Sequence, residues 1–217
     1  MGNSSLSISP STAADHIYST EKSGYWLSDS DVVWMMTELM NEHSSPRTAV
    51  LTITYEYIPY MPEDFETVTP IWLDIGGCKR SDKPVPADKT SFHFCSSGWK
   101  SAISGRIICV LGHLHDGGTH LDVRKDEESV CRSVPTYDDE GMEHGHDGHD
   151  LVRRHGGGMG MSHISDMSMC HNVGRIEVGE EWTVRADYDI AAHPPMLDAS
   201  GVPEGVMGIA VMYVVES

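Results

Sequence analysis

The chain has 217 residues, which is enough for one large β domain or two small ones. Its 33 Asp and Glu residues against 15 Lys and Arg give a formal net charge of −18. Such a surface repels nucleic acids and anionic membranes. No apolar run approaches the roughly 18 residues that span a bilayer, and the N-terminus lacks the apolar core of a secretory signal. The composition therefore argues against a nucleic-acid-binding or membrane-spanning protein and leaves a cytoplasmic location open.

The N-terminal quarter of the chain carries weak structural signals. Residues 1–24 are rich in Ser and Thr without a period, which predicts a flexible arm ahead of a single β domain at 25–217. Apolar spacing at residues 31–41 fits a short helix, although Val32 and Val33 also favour a strand. Strict alternation then predicts a half-buried strand. Its apolar and aromatic members are Leu51, Ile53, Tyr55 and Tyr57.

The remaining pattern predicts an all-β domain. Further short strands are expected at 68–75, 91–94, 106–123 (a hairpin), 129–134, 175–178, 182–188 and 206–215. Seven or eight such strands joined by Gly and Pro turns indicate an antiparallel β-sandwich of the jelly-roll type. Residues 135–172 interrupt this pattern with Asp, Gly, His and Met, and are predicted to form a long loop insertion.

The hairpin at residues 106–123 carries the first candidate site. Five residues fall on alternate positions of its first strand, which predicts that all five share one face, with the apolar members in the core. These residues are Ile107, Cys109, Leu111, His113 and His115. The two histidines lie about 6.5 Å apart along the strand, so their imidazoles can converge on one metal ion. Asp116-Gly117-Gly118 supplies the turn.

Five cysteines leave one unpaired. Cys109, within the predicted hairpin strand, is expected to be a buried free thiol. The other four allow three pairings, of which Cys78–Cys95 and Cys131–Cys170 is our prediction. Disulfides would place the protein outside the cell or in another oxidising compartment. Four reduced thiols in a cytosolic protein are the alternative.

Several other residues could bind a metal. Met207 begins the last predicted strand, and His193 lies in a Pro-rich loop. The long loop adds further histidines and methionines, including His163. Imidazole suits copper, zinc, nickel and iron, whereas thioether suits copper, especially Cu(I). Two imidazoles with one thioether therefore indicate copper. Alternatively, the hairpin histidines simply end in solvent, Met207 fills the core, His193 is a structural loop residue, and the long loop binds metals only weakly.

Three segments together resemble a known family. They are the strand ending in His113-Leu114-His115, residues 178–186 (VGEEWTVRA) and residues 205–213 (GVMGIAVMY). They resemble the second half of the copper type II, ascorbate-dependent monooxygenases, the peptidylglycine hydroxylase group. They are closer still to shorter fungal and plant relatives described as stress-up-regulated nodulin-type proteins. The resemblance implies that His113, His115 and Met207 hold a single copper ion at which oxygen is activated.

Two departures from that family shape the functional hypothesis. The hydroxylases have a preceding domain with a second copper that relays electrons, and this chain has no room for it. An external reductant such as ascorbate would then supply every electron. The family's substrate-carboxylate anchors correspond to Leu111 and Val211, which favours a small apolar substrate over a peptide.

The leading hypothesis is a copper-dependent oxidoreductase. A second is a non-catalytic copper-binding protein in which the His/Met loop sequesters several ions. A third is a metal-independent cyclase or isomerase of natural-product biosynthesis that uses the sandwich cavity, with the histidines as acids, bases or hydrogen-bond donors. The sequence does not fix an oligomeric state.

Overall fold

The computed structural model describes residues 22–33, 45, 46, 48, 50–53, 57–138, 162–198 and 200–217. Across these ranges the protein is all-β and contains no helix. The strands are β1 Ser23–Gly24, β2 Glu66–Asp74, β3 Ser91–Cys95, β4 Trp99–Lys100, β5 Gly105–Leu114, β6 Gly118–Lys125, β7 Glu128–Ser133, β8 Pro135–Asp138, β9 His163–Met167, β10 Cys170–Ile176, β11 Glu181–Asp189 and β12 Gly208–Glu216.

Two sheets form the sandwich. The first has the order β1-β2-β12-β5-β10, and the second has the order β3-β11-β6-β7, with β4 also pairing to β11. Apart from the parallel β1–β2 pair, the strands of both sheets pair antiparallel. This strand order is that of a jelly roll, so the predicted fold class is confirmed. A small separate ladder joins β8 to β9.

The core lies between the inward faces of the two sheets. Along β12, Ala210 and Met212 are fully buried and alternate with outward-facing residues, as the two-residue period of a strand requires. Trp182 is the largest fully buried side chain and enters the core from β11. Burying each aliphatic side chain of this kind contributes about 1.5–3 kcal/mol, so the inward faces hold the sandwich together.

A β-bulge breaks the face predicted for β5. Ile107 pairs with Val214 while Cys109 pairs with Tyr213, so Ile108 is an extra residue. Ile107 therefore points into the core between the sheets, whereas Cys109 joins a small cluster on the outward face. The prediction that all five alternating residues share one face, with the apolar members in the core, is wrong for this reason.

Several other predicted elements differ from the structure or lie partly outside its described residues. Residues 51–53 and 57 are exposed and form no strand, so the strand predicted there is wrong over its described part. The long loop predicted at 135–172 is too wide, because β8, β9 and the start of β10 occupy its ends; residues 139–161 lie outside the described part. The predicted arm is likewise undescribed up to residue 21, and Ser23 and Gly24 at its end pair with β2. The segment at 31–41 is described only to Val33, which is exposed coil.

The cysteines combine one bridge with three free thiols. Cys131 on β7 and Cys170 on β10 form a disulfide that links the two sheets. The predicted Cys78–Cys95 bridge is wrong: both thiols are free and exposed, Cys78 in the turn after β2 and Cys95 on the outward side of β3, whose Phe92 and Phe94 face the core. Cys109 is a buried free thiol, and burial raises its pKa to about 11.

The described ranges include no helix that is long and apolar enough to cross a membrane.

Candidate metal centre

The two histidines of the hairpin lie on the outward face of the first sheet. Val110 and Leu114 of β5 belong to the core cluster, so His113, which alternates with them, turns away from the second sheet. His115 follows the last residue of β5 and has the same parity. Both imidazoles are half-buried, and their ring centroids lie 5.4 Å apart with the planes at 83°.

Met207 lies beside this pair. Gly208 pairs with Leu114, so Met207 is opposite His115, and the His115 amide donates to the Met207 carbonyl at 3.3 Å. Val206 is buried in the core, and a Cβ on Gly208 would meet Ala186 of the second sheet. Because its two neighbours face inward, Met207 takes the outward face that also carries the histidines.

A backbone carbonyl orients His115. Its Nδ1 lies 2.8 Å from the carbonyl oxygen of Gly205. A carbonyl can only accept, so this contact places the ring proton on Nδ1 and leaves the Nε2 lone pair available. Histidines that bind metals usually donate their other ring N–H to a backbone carbonyl or carboxylate in this way.

Burial keeps His113 neutral. Burial is the larger cause and charge repulsion from the neighbouring His115 the smaller one, and together they lower the pKa of His113 to about 4. The sign follows from the cost of placing a cation in a poorly solvated position. At neutral pH His113 is therefore a neutral imidazole with a nitrogen lone pair. This is the protonation state that binds metals.

A tyrosine of the second sheet reaches the same segment. Tyr188 on β11 is buried, and its hydroxyl donates to the Met207 carbonyl at 2.8 Å. Burial raises the pKa of Tyr188, so the hydroxyl keeps its proton and remains a donor. The Met207 carbonyl thus accepts one hydrogen bond from each sheet.

The structure places the other two predicted ligands around the hairpin turn. His163 contacts the buried carboxylate of Asp116, with Nδ1 at 2.5 Å from Oδ2, and the Ile164 amide donates to the other carboxylate oxygen at 2.9 Å. The ring of His193 stacks on Tyr137 with centroids 3.8 Å apart. Both histidines therefore have packing partners, and their ligand roles stay predictions.

Some methionines of the predicted loop also have packing partners, and others lie outside the described residues. Met167 packs against the core, and Met169 packs against the outward cluster around Cys109. The histidine-rich stretch at 143–155, with Met159 and Met161, lies outside the described residues. In the part of the chain that is described, no three His, Cys, Asp or Glu side chains are close enough to hold a metal ion. The thioether of Met207 is not among those side-chain types.

Apolar residues surround the pair on the outward face. Leu111 pairs with Val211, which in turn pairs with Trp72 of β2. Ile209 pairs with His113 and is buried. The two positions that correspond to the substrate-carboxylate anchors of the resembled family are therefore direct cross-strand neighbours, one pair further along the sheet from His113.

Sequence reasoning did not identify three residues that shape this region. Gly205 acts through its carbonyl oxygen, which no residue type reveals. Tyr188 fits the alternation of β11 and was expected only as a member of that strand. Tyr137 falls in the segment predicted to be loop, so it carried no signal.

Comparison with known proteins adds a chemical context. No family model and no solved structure match the chain. The chain is 30% identical over 195 residues to probable copper-dependent oxygenase M1 of Phoma sp., and 31% identical over 195 residues to probable copper-dependent oxygenase clz3 of Cochliobolus lunatus. Each alignment covers 90% of this chain but only 46% and 58% of the respective relative.

The chain thus spans about half the length of the curated relatives it matches. Over nine tenths of its own length, it is similar in sequence to two proteins that are named as probable copper-dependent oxygenases.

Proposed function

We propose that this protein is a copper-dependent oxidoreductase that acts on a small apolar molecule, with His113, His115 and Met207 holding one copper ion. The observation that carries the proposal is the pair of outward-facing imidazoles with centroids 5.4 Å apart: burial keeps His113 neutral, and His115 is already fixed through Nδ1 to a backbone carbonyl. The names of the two relatives agree with this chemistry.

The spacing of the rings supports a shared metal ion. A nitrogen bound at about 2 Å places its ring centroid roughly 3.1 Å from the metal, so two rings at a tetrahedral angle have centroids roughly 5.1 Å apart. The His113 and His115 centroids are 5.4 Å apart. A set of two imidazoles and one thioether suits copper better than zinc, because thioether is a soft ligand that favours Cu(I).

Copper, when bound, would supply the one-electron chemistry that activates oxygen. The chain contributes the surroundings of the metal. Burial at His113 disfavours protonation of a ligand, and the Gly205 carbonyl fixes the ring of His115. Met207 would stabilise the reduced ion.

An apolar substrate suits the neighbouring surface. Leu111 and Trp72 are half-buried and Val211 between them is buried, and none of the three offers a cation or a hydroxyl to a carboxylate. A substrate with a free carboxylate would lose its hydration there without a compensating partner. The finer likeness, to ascorbate-dependent hydroxylases, belongs to this proposal, and it implies that an external reductant supplies the electrons.

Oxygen uptake tests the proposal. The copper-loaded protein is reduced with ascorbate without oxygen, and oxygen is then added with apolar candidate substrates. We expect substrate-dependent oxygen uptake in the parent and none in His113→Ala, because one ligand is lost. Uptake that is equal in His113→Ala, or that is absent in the parent, contradicts the proposal.

The same preparations separate the two alternatives. Turnover that survives complete chelation would favour the metal-independent cyclase or isomerase. Several tightly bound copper ions per chain without turnover would favour the sequestering protein. Two clefts of about 470 and 380 Å³ are lined by residues of the second sheet and its turns, and neither includes His113, His115 or Met207. An isomerase that uses these histidines gains no support from either cleft.

A further inference from the structure

Two tyrosine hydroxyls form hydrogen bonds with the main chain of the segments that carry the candidate ligands. The first belongs to Tyr188, whose hydroxyl donates to the Met207 carbonyl at 2.8 Å from the opposite sheet. The same oxygen accepts the His115 amide at 3.3 Å. The main chain at Met207 is therefore fixed on one side by the neighbouring strand and on the other by a side chain that crosses the core.

The second hydroxyl belongs to Tyr137 and bridges the turn after His115. It donates to the Gly118 carbonyl at 2.8 Å and accepts the Gly117 amide at 3.1 Å. Gly117 has a φ of 93°, a conformation that side chains rarely adopt. The hydroxyl thus satisfies the polar groups of a turn whose shape only glycine tolerates readily.

The ring of Tyr137 joins this turn to the loop that leads towards Met207. It stacks on the His193 ring with centroids 3.8 Å apart and an interplanar angle of 6°. The Asp189 amide also donates to the Gly117 carbonyl at 2.8 Å. The hairpin and the loop after β11 are consequently held to each other at one end of the sandwich.

We propose that Tyr137 and Tyr188 are positioning residues of the copper centre: they fix the main chain at His115 and Met207 before the metal binds. This inference rests on the function proposed above. Preformed ligands lose less conformational freedom on binding, which increases affinity without any new contact to the metal. Neither hydroxyl is a ligand in this account, and the effect of each passes through the backbone.

The substitution of Tyr188 by Phe isolates the hydroxyl. It keeps the ring, which packs at 5.1 Å from Phe92, and it leaves the Met207 carbonyl with its bond from His115. We therefore expect Tyr188→Phe to fold. Loss of a partner that orients a ligand typically weakens metal binding by 10- to 100-fold, and we expect about 10-fold weaker Cu(I) binding here. Weaker thioether ligation should also lower the Cu(II)/Cu(I) reduction potential.

The substitution of Tyr137 by Phe makes an independent prediction. It removes both hydrogen bonds at the Gly117-Gly118 turn and keeps the stack on His193. We expect weaker Cu(I) binding of a similar size, together with a changed Cu(II) electron paramagnetic resonance spectrum, since the altered turn shifts His115.

Phe94→Leu is the matched control. Phe94 packs against the core and lies 6.3 Å from the Tyr188 ring, but it has no hydrogen bond to either ligand segment. It should lower the unfolding temperature and leave Cu(I) affinity and potential unchanged. Anaerobic Cu(I) competition titrations and potentiometry on all four proteins give the result.

Two outcomes overturn the positioning role while leaving the proposed function intact. In the first, both tyrosine variants keep the parent's affinity and potential. In the second, Phe94→Leu weakens Cu(I) binding as much as they do, which makes the role merely structural. If the parent binds no Cu(I) that depends on Met207, the proposed function fails and this inference fails with it. Parental binding that depends on Met207 with unchanged tyrosine variants refutes the positioning role alone.

Discussion

At the scale of single residues, the candidate centre separates two methionines of one strand segment. Met207 is half-buried on the outward face, whereas Met212 is fully buried in the core. The two-residue period of the strand accounts for this difference, because positions 207 and 212 have opposite parity. The ligand role of Met207 is the part that needs a measurement.

We predict that Met207→Ile sharply weakens Cu(I) binding while Met212→Ile does not. Isoleucine nearly keeps volume and apolarity, so each change should cost under about 1.5 kcal/mol of stability. Only Met207→Ile removes the soft ligand of the proposed site. Anaerobic competition titration against a chromophoric Cu(I) chelator measures the effect. Equal Cu(I) affinity in both variants and the parent would make Met207 a packing residue.

Charged residues on the second sheet make a separate, structural prediction. Asp122 is buried and accepts two hydrogen bonds from Arg132 at 2.8 Å and one from Ser129 at 3.1 Å. The hydrogen bonds from Arg132 hold the pKa of Asp122 below its ordinary value. A depressed folded-state pKa means that this stabilisation is present above the unfolded pKa of about 3.9 and is lost as the pH falls through the folded value.

We therefore expect Asp122→Asn to lose about 2 kcal/mol of stability at pH 7, the usual size for hydrogen bonds to a charged group. The difference from the parent should shrink as the pH falls below about 4. Urea unfolding of both proteins at pH 7 and at pH 3 measures it. A difference that is the same at both pH values would show that the ionised carboxylate is not what stabilises the sheet here.

At the scale of elements, alternation in the sequence predicted the paired strands well and their irregularities poorly. β11 follows from apolar alternation because it buries every second residue, whereas β2 and β12 follow from short, mostly apolar runs, and β12 is buried on both faces. The bulge in β5 adds a residue that leaves no mark in composition, so the opposite facing of Ile107 and Cys109 could not be predicted. Residues 51–53 alternate equally well yet form no strand, because strand formation depends on a paired neighbour rather than on propensity alone.

The residues of the candidate site were likewise only partly predictable from the sequence. The sequence identified the histidine pair and Met207 because side-chain chemistry and spacing are visible in it. It could not identify Gly205, whose contribution is a carbonyl oxygen that tertiary structure brings to His115. Long-range contacts of this kind depend on the strand order, which local patterns do not encode.

The disulfide makes a prediction about how two elements are joined. Cys131 and Cys170 link β7 to β10 across 39 residues of sequence. Replacing both by alanine should lower the free energy of unfolding by about 2–4 kcal/mol, since a cross-link restricts the unfolded chain. The matched control replaces Cys78 and Cys95, which are exposed and free, and should change stability little. Equal effects in the two double variants, measured by urea unfolding, would contradict this account.

At the scale of the whole molecule, the residues that stabilise the jelly roll are different from the residues of the proposed copper site. The core occupies the inward faces of both sheets, while His113 and His115 lie on an outward face. Changes to the candidate ligands should therefore leave the fold intact and alter metal binding alone. The same arrangement places the candidate centre beside an apolar surface rather than among the charged residues of the second sheet.

X-ray absorption spectroscopy of the Cu(I)-loaded protein tests the central claim most directly. The account predicts one tightly bound ion with two imidazole nitrogen ligands and one sulfur ligand. The sulfur contribution should disappear in Met207→Ile, and one imidazole contribution should disappear in His113→Ala. A spectrum without sulfur in the parent, or one whose sulfur contribution persists unchanged in Met207→Ile, would contradict the assignment of His113, His115 and Met207 as a copper centre.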